Sequence, residues 1–254
     1  MEKNKIYCGD CIELMQQIEE KSIDLILCDL PYGVTQNRAD IIIPLDNLWE
    51  QYKRVIKERG NILLTSQYPF TIDLINYNRE WFRYDLVWDK KLSSGFLNAN
   101  RMPLRIHEHI LVFYNKIGTY NPQFTEGKAS HSKGRMVTDV NRNYGNYGKV
   151  DNKDIHGNKK FPVSIISFQK PHASKALHPT EKPVGLFEYL IRTYSNEGDL
   201  VLDNCIGIGT TAVACRRSNR HFIGIDTNLY YVEIVNKRLA QTTLNGGGAN
   251  SSHT

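Results

Sequence analysis

Short apolar runs of isoleucine, leucine and valine alternate with longer amphipathic stretches through residues 1–115. The runs read as strands at 23–28, 61–66, 84–88 and 109–114, and 5–8 offers one more whose alternation is too short to decide. Apolar positions three and four apart predict helices over 11–20, 45–58 and 70–78, the last entered through Pro69, where a missing N–H is tolerated. Lys57-Glu58-Arg59-Gly60 predicts a helix ending on a glycine cap. After residue 179 the alternation resumes, with helices over 183–194, 210–218 and 228–239 and strands at 200–203 and 221–225. This order predicts an α/β protein with one sheet interrupted once, because the two C-terminal strands need a neighbour to pair with. Residues 245–254, with Gly-Gly-Gly and Ser-Ser, are expected to form a disordered tail.

Between residues 116 and 175 the periodicity fails. Eleven lysines and arginines stand there against four acids, a surplus of +7; the whole chain carries +5, so the remainder carries about −2. Six glycines, many asparagines and the aromatics Tyr120, Phe124, Tyr144, Tyr147, Phe161 and Phe168 accompany the charge. Such a segment suits a surface that grips a polyanion by charge, stacking and amide hydrogen bonds, and equally a polar insertion whose lysines keep it soluble. Sixty residues of loop inside one domain are unusual without a function.

Composition narrows the class further. A chain of 254 residues with 41% hydrophobic content can fill a core, which excludes collagen-like and wholly disordered readings. Five cysteines, an odd number, and no leader-like start lead to the expectation of a reducing, cytoplasmic setting. No apolar run approaches the roughly 18 residues that a membrane helix needs, so no membrane partner is expected.

Two segments carry chemistry. Val201-Leu202-Asp203-Asn204-Cys205-Ile206-Gly207-Ile208-Gly209-Thr210-Thr211 runs from a buried strand through a glycine turn into a helix, and Asp226 ends the strand that follows. A glycine turn lets backbone approach a ligand closely, and an acid at the next strand end can accept from a ribose. The pattern is nucleoside-binding rather than a dinucleotide fingerprint or a phosphate loop, because no third glycine stands in register and no Gly-Lys-Thr follows. The second segment is Asp24-Leu25-Ile26-Leu27-Cys28-Asp29-Leu30-Pro31-Tyr32-Gly33, a strand that delivers an acid, a rigid proline and an aromatic to its carboxyl end. A carboxylate, fixed carbonyls and a flat ring suit a planar base with an exocyclic amine; a strand-ending turn with a half-buried tyrosine is the bland alternative.

Together these segments resemble the S-adenosylmethionine-dependent DNA amino methyltransferases of the beta class. In that order the catalytic half precedes a target-recognition insertion and the cofactor loop comes last. Gly9-Asp10-Cys11 resembles the family's N-terminal acid beside the cofactor adenine, and His107-Glu108-His109-Ile110-Leu111-Val112-Phe113 the segment before recognition. His178-Pro179-Thr180-Glu181-Lys182-Pro183 is similar to the signature beside the cofactor's methionine part. The resemblance implies a Rossmann-like sheet of seven mostly parallel strands, circularly permuted in motif order and carrying a central insertion. It divides the chain into a catalytic half (1–115), a recognition insertion (116–175), a cofactor half (176–244) and the tail. It implies adenine-N6 methylation of double-stranded DNA by base flipping, with S-adenosyl-L-methionine as cofactor. Asp29, Leu30, Pro31 and Tyr32 would be catalytic; Asp10, Cys11, Asp29, His178, Thr180, Lys182, Asp203, Cys205, Gly207, Gly209, Thr210, Thr211 and Asp226 would hold the cofactor. A homodimer and a companion restriction endonuclease are allowed by the same resemblance.

Departures from the family pattern keep other readings open. Leu30 stands where the family has a first proline, and Ile206 and Ile208 fill a loop that usually holds phenylalanine. A carbonyl survives at Leu30, although one φ restraint is lost. Cytosine-N4 methylation, an RNA or protein-amide substrate, and a DNA-binding relative with impaired catalysis are the alternatives. Cys8 and Cys11 have the spacing of a zinc half-site without a second pair, so no metal is expected. His107 and His109 are expected to face opposite ways in their strand, Trp81 and Trp88 to pack, and Asp89-Lys90-Lys91 either to reach phosphate or to form a solvated turn.

Overall fold

The computed structural model describes residues 1–33, 40–128, 158–171 and 181–245. The chain divides into two units, residues 1–121 with 164–254, and residues 122–163. The first unit is built on strands β1 (Lys5–Cys8), β2 (Ile23–Cys28), β3 (Ile56–Ser66), β4 (Phe82–Ser94) and β5 (Arg105–Phe113). The second holds β6 (Thr125–Glu126) and β7 (Lys159–Lys160), and the first resumes with β8 (Ile165–Ser167), β9 (Leu200–Asp203) and β10 (His221–Asp226). Helices α1 (Cys11–Met15), α2 (Leu45–Val55), α3 (Phe70–Tyr77), α4 (Val184–Tyr194), α5 (Thr210–Arg217) and α6 (Leu229–Asn245) complete the first unit.

Its sheet has the order β1-β10-β9-β2-β3-β5-β4-β8. Strands from β1 to β3 in this order are mutually parallel, β5 runs antiparallel to both neighbours, and β8 is parallel to β4. Alternation along each strand feeds two cores. Ile26, Ile62, Leu64, Phe113 and Leu202 pack on one face against α1, α2 and α3, while Leu25, Leu27, Leu63, Val112 and Val201 pack on the other with residues of α4, α5 and α6. Burial on both faces explains why the central strands are continuous apolar runs.

Residues 57–60 do not end α2; they belong to β3, where the register with β2 jumps from Ile23↔Ile56 to Leu25↔Asn61. A Cβ on Gly60 would lie 2.9 Å from the Asp24 carbonyl oxygen, so this glycine serves a close approach within the bulge rather than a cap. Helix α1 stops at Met15 instead of residue 20, and the Arg54 guanidinium donates to the carbonyls of Met15 (2.6 Å) and Ile18 (2.8 Å). β4 and β5 both extend well beyond the runs at 84–88 and 109–114, and α6 continues to Asn245. The sheet gains an eighth strand, because Ile165–Ser167 adds to the open edge of β4, a three-residue segment too short for periodicity to register. His107 and His109 lie two apart in β5 and therefore share a face, their rings meeting edge to face at 5.5 Å. Asp89-Lys90-Lys91 is strand, and Lys90 is buried.

In the second unit, β6 and β7 pair antiparallel, Thr125↔Lys160 and Glu126↔Lys159, with Phe124 and Phe161 in contact at 4.8 Å. His178, Thr180, most of the basic insertion and the tail beyond Asn245 lie outside the described residues. Among those described, no helix is long and apolar enough to cross a membrane.

Candidate active site

Sheet topology decides where the chemistry can sit. β9 and β2 are parallel neighbours at the centre, with Leu25↔Val201 and Ile26↔Leu202 in register. Their carboxyl ends therefore emerge side by side, and the loops that follow, starting at Asp203 and Asp29, face each other although 174 positions separate them. Between them opens a cavity of about 770 Å³, within the range of small-molecule sites. Asp10, Cys11, Asp29, Leu30, Pro31, Tyr32, Lys182, Asp203, Cys205, Gly207, Thr210, Thr211 and Asp226 all line it.

Asp29 is held from three sides. The Tyr32 hydroxyl lies 2.8 Å from both Asp29 Oδ1 and Thr65 Oγ1, and the Thr65 hydroxyl donates to the same Oδ1. Lys182 Nζ donates to Oδ2 at 2.7 Å. A carboxylate offers about four lone pairs, so these contacts leave essentially one, on Oδ2, for an incoming donor. Burial, with the Asp29 charge beside it, pushes the Tyr32 phenol well above its ordinary pKa, so its hydroxyl stays a donor. The ring of Tyr32 leans against Phe70 at 5.7 Å, and Lys182 Nζ stands 5.5 Å from its centroid.

Behind Lys182 stands a second carboxylate. Glu108 Oε2 is 3.3 Å from its ammonium, an ion-pair contact without hydrogen-bond geometry, and Glu108 Oε1 accepts from Lys90 Nζ at 3.2 Å. The reversed direction of β5 brings Glu108, near its start, to the edge where the parallel strands end. Burial alone would raise the Glu108 pKa, but Lys182 and Lys90 outweigh it and hold it low. Burial likewise opposes the charge on Lys182, yet Asp29 and Glu108 hold its pKa above the ordinary value. Lys170 also lines the cavity, its pKa lowered by burial and then by the Lys90 charge.

On the other wall the loop after β9 is tied down by its own acid. Asp203 accepts from Thr211 Oγ1 and from the Cys205 amide at 3.1 Å, and burial raises its pKa to about 7. These bonds make Asp203 and Thr211 braces of the turn. Gly209 has φ +85°, and a Cβ there would stand 2.5 Å from Val235 of α6, so conformation and contact both require glycine. Asp226 Oδ2 accepts from the Gly207 amide at 2.9 Å and Oδ1 from the Asn228 amide at 2.8 Å, which sets the carboxylate at the cavity edge. Asp10 caps α1 through Oδ1 alone, accepting from the Ile12 and Glu13 amides, so Oδ2 is not spent on the cap. Cys11, Cys28 and Cys205 converge beneath the turn, with Cys11 and Cys205 at the cavity lining, and burial pushes the Cys28 thiol up to about 12. Leu30 is buried in the core below its loop, so packing replaces the φ restraint of the absent proline.

The structure thus brings most of the sequence-predicted residues to one cavity, Lys182 against Asp29. Thr65, Lys90 and Trp88 also bear on this site and carry no signal of that along the chain, and Glu108 carries one only within its motif. Alternation in β4 places Trp88 and Lys90 on one face, and β5 pairs Trp88 with Glu108, but only strand pairing reveals the meeting. Among the described residues, no group of three or more His, Cys, Asp or Glu side chains could hold a metal ion.

Residues 23–237 match a DNA methylase family profile, N6_N4_Mtase. The chain is similar to the type II methyltransferase M.HpaI of Haemophilus parainfluenzae, with 30% identity covering 92% of this chain and 74% of that protein. It is similar as well to the DNA adenine methyltransferase YhdJ of Escherichia coli, with 29% identity over 94% of this chain and 83% of the relative. The fold matches the PvuII DNA methyltransferase, a cytosine-N4 enzyme, at a TM-score of 0.67 and 15% identity, covering 92% of this chain and 85% of that one. It matches M1.HpyAVI, solved in complex with SAM, at a TM-score of 0.62 and 23% identity, covering 92% and 98%. The profile spans most of the chain, including the Asp29 and Asp203 loops that wall the cavity, and the chain belongs to this DNA methylase family.

Proposed function

We propose that the chain methylates the N6 amine of adenine in duplex DNA, using S-adenosyl-L-methionine. The observation that carries the reading is Asp29 at the cavity wall, braced on three contacts with one acceptor site left on Oδ2. An exocyclic amine is a poor nucleophile because its lone pair is delocalised into the ring. Asp29 and the Leu30 or Pro31 carbonyl accept its two hydrogens and draw the nitrogen toward a pyramidal geometry. Tyr32, once the base has left the duplex, offers its ring as a stacking surface, an exchange of about 1–3 kcal/mol per base. Lys182 keeps Asp29 turned toward the amine, and the walls replace water around the reacting groups.

The cofactor fits the opposite wall by the chemistry of its donors and acceptors. Asp226, oriented by the Gly207 and Asn228 amides, sets its carboxylate at the cavity edge beside the glycine turn, where it meets the ribose; Asp10 keeps Oδ2 for the adenine side; and the Gly207–Gly209 turn admits close backbone approach. When bound, the cofactor supplies an activated methyl group. His178 and Thr180, beside its methionine part in the resemblance, complete the proposed set. The acid at Asp29, where asparagine or serine would lean toward cytosine, and the adenine activity named for the YhdJ relative support N6 over N4. The basic insertion is proposed as the main DNA-contacting segment.

The test incubates diverse duplex DNA with labelled cofactor, followed by nucleoside analysis and mapping of the modified bases. N6-methyladenine, abolished in Asp29→Ala with cofactor affinity retained, is expected. N4-methylcytosine as the only product would overturn the base assignment, and full turnover by Asp29→Ala would overturn the role of Asp29.

A further inference from the structure

The hairpin between β4 and β5 has no part in the steps above, yet it rises from the rim of the cavity. Its strands close at Ser94 and Arg105, which are cross-strand partners, and both residues line the cavity. Arg105 is held there by donating to Gln67 Oε1 at 2.9 Å. Between them the chain forms a compact cap. Gly95 takes φ +85° with nothing within 4 Å of where a Cβ would stand, so glycine is there for the turn and not for room. A 3₁₀ turn at Phe96–Asn98 follows, and the amides of Asn98, Ala99, Arg101 and Met102 bond back to the carbonyls of Gly95, Phe96 and Asn98 at 2.9–3.0 Å.

The cap presents its apolar side chains to water. Phe96 is 79% exposed and Leu97 98%, with Met102 and Ile106 about half exposed beside them. A hydrogen-bonded turn that holds two large apolar residues outward marks a contact surface. The charge around it selects the partner. Residues 92–107 contain Arg101 and Arg105, the amides of Asn98 and Asn100, and no carboxylate, while Lys91 at the base of the hairpin pairs with Asp89 at 2.6 Å. An apolar tip with cations and amides around it matches a duplex, where phosphates take the cations and the base stack takes the apolar side chains.

We infer that Phe96 and Leu97 form a wedge for duplex DNA, entering the stack at the place vacated by the base drawn into the Asp29 cavity. The inference rests on the base-methylating reading of the cavity. The wedge fills the gap, keeps water and the departed base from refilling it, and so lowers the cost of extrusion. Its effect then depends on how firmly the target is paired: a base already mismatched needs the wedge least.

The experiment compares wild type with the double variant Phe96→Ala/Leu97→Ala on duplexes bearing the mapped methylation site, either fully paired or mismatched at the target base. On the paired duplex the variant is expected to lose 10-fold to 100-fold in kcat/KM. On the mismatched duplex it returns to within about threefold of wild type, and cofactor affinity measured by calorimetry is unchanged in both. Fluorescence of 2-aminopurine at the target position, expected to rise with wild type and to rise less with the variant, reads extrusion directly. Equal loss on both duplexes, no loss on either, or a change in oligomeric state by light scattering that accounts for the loss would overturn the wedge, the last pointing to a second copy of the chain as occupant. Wild type that methylates neither duplex would instead overturn the reading of the cavity itself.

Discussion

Replacing Lys182 by methionine separates two roles that the site allows for this residue. In the structure its ammonium is 2.7 Å from Asp29 Oδ2 and 3.3 Å from Glu108 Oε2, and its side chain is only 9% exposed. Removing one partner of a buried ion pair costs about 3–5 kcal/mol when the other is left uncompensated. Here Glu108 keeps Lys90 at 3.2 Å, and the Asp29 side chain, 26% exposed, can recruit water, so about 2 kcal/mol of stability is the expected loss. Catalysis should suffer more than folding. Asp29 Oδ1 stays tied to Tyr32 and Thr65, but Oδ2 loses the contact that orients it, and misplacing a reacting group by about 1 Å costs on the order of 100-fold. Single-turnover methylation at saturating DNA and cofactor should therefore slow about 100-fold, with the cofactor Kd within threefold of wild type by calorimetry. Lys182→Arg, which keeps the charge, should recover part of the rate, and urea unfolding checks the stability term. An unchanged saturated rate together with weakened cofactor binding would refute the reasoning, and would return Lys182 to the cofactor side.

Further expectations concern single groups. Burial raises the Asp203 pKa to about 7 from an unfolded value near 3.8, so between those pH values the folded chain holds more protons than the unfolded one and loses stability as pH rises. The penalty approaches about 4 kcal/mol above the window, so Asp203→Asn should gain stability relative to wild type at pH 8 compared with pH 5 in urea unfolding; a constant difference would refute the assignment. Asp226→Ala removes acceptors from a polar ligand and should weaken cofactor binding by about 1–3 kcal/mol in calorimetry, and equal affinity would remove the ribose role. Lys159→Gln/Lys160→Gln should lower the slope of log affinity against log salt by about 2 if both lysines meet phosphate, measured by titration on duplex DNA; an unchanged slope would place the contacts elsewhere.

Local and periodic features are the ones legible along the chain. The strands 23–28, 200–203 and 221–225 are legible because burial on both faces leaves an uninterrupted apolar run, and the Asp29 and Asp203 loops are legible because each stands at the end of such a run and several motifs of different kinds occur together in one order. Periodicity stops where the backbone departs from a regular period. The bulge at residues 57–60 of β3 looked like a helix end because its charges and glycine imitate a cap, and the three residues of β8 carry no period at all. Tertiary structure alone decided that Asp29, Thr65, Glu108 and Lys182 meet. Four elements supply them, and β5 delivers Glu108 only because it runs against its neighbours. A buried glutamate between two lysines has no signature along the chain, since the energy that selects it is electrostatic and acts across strands rather than between sequence neighbours.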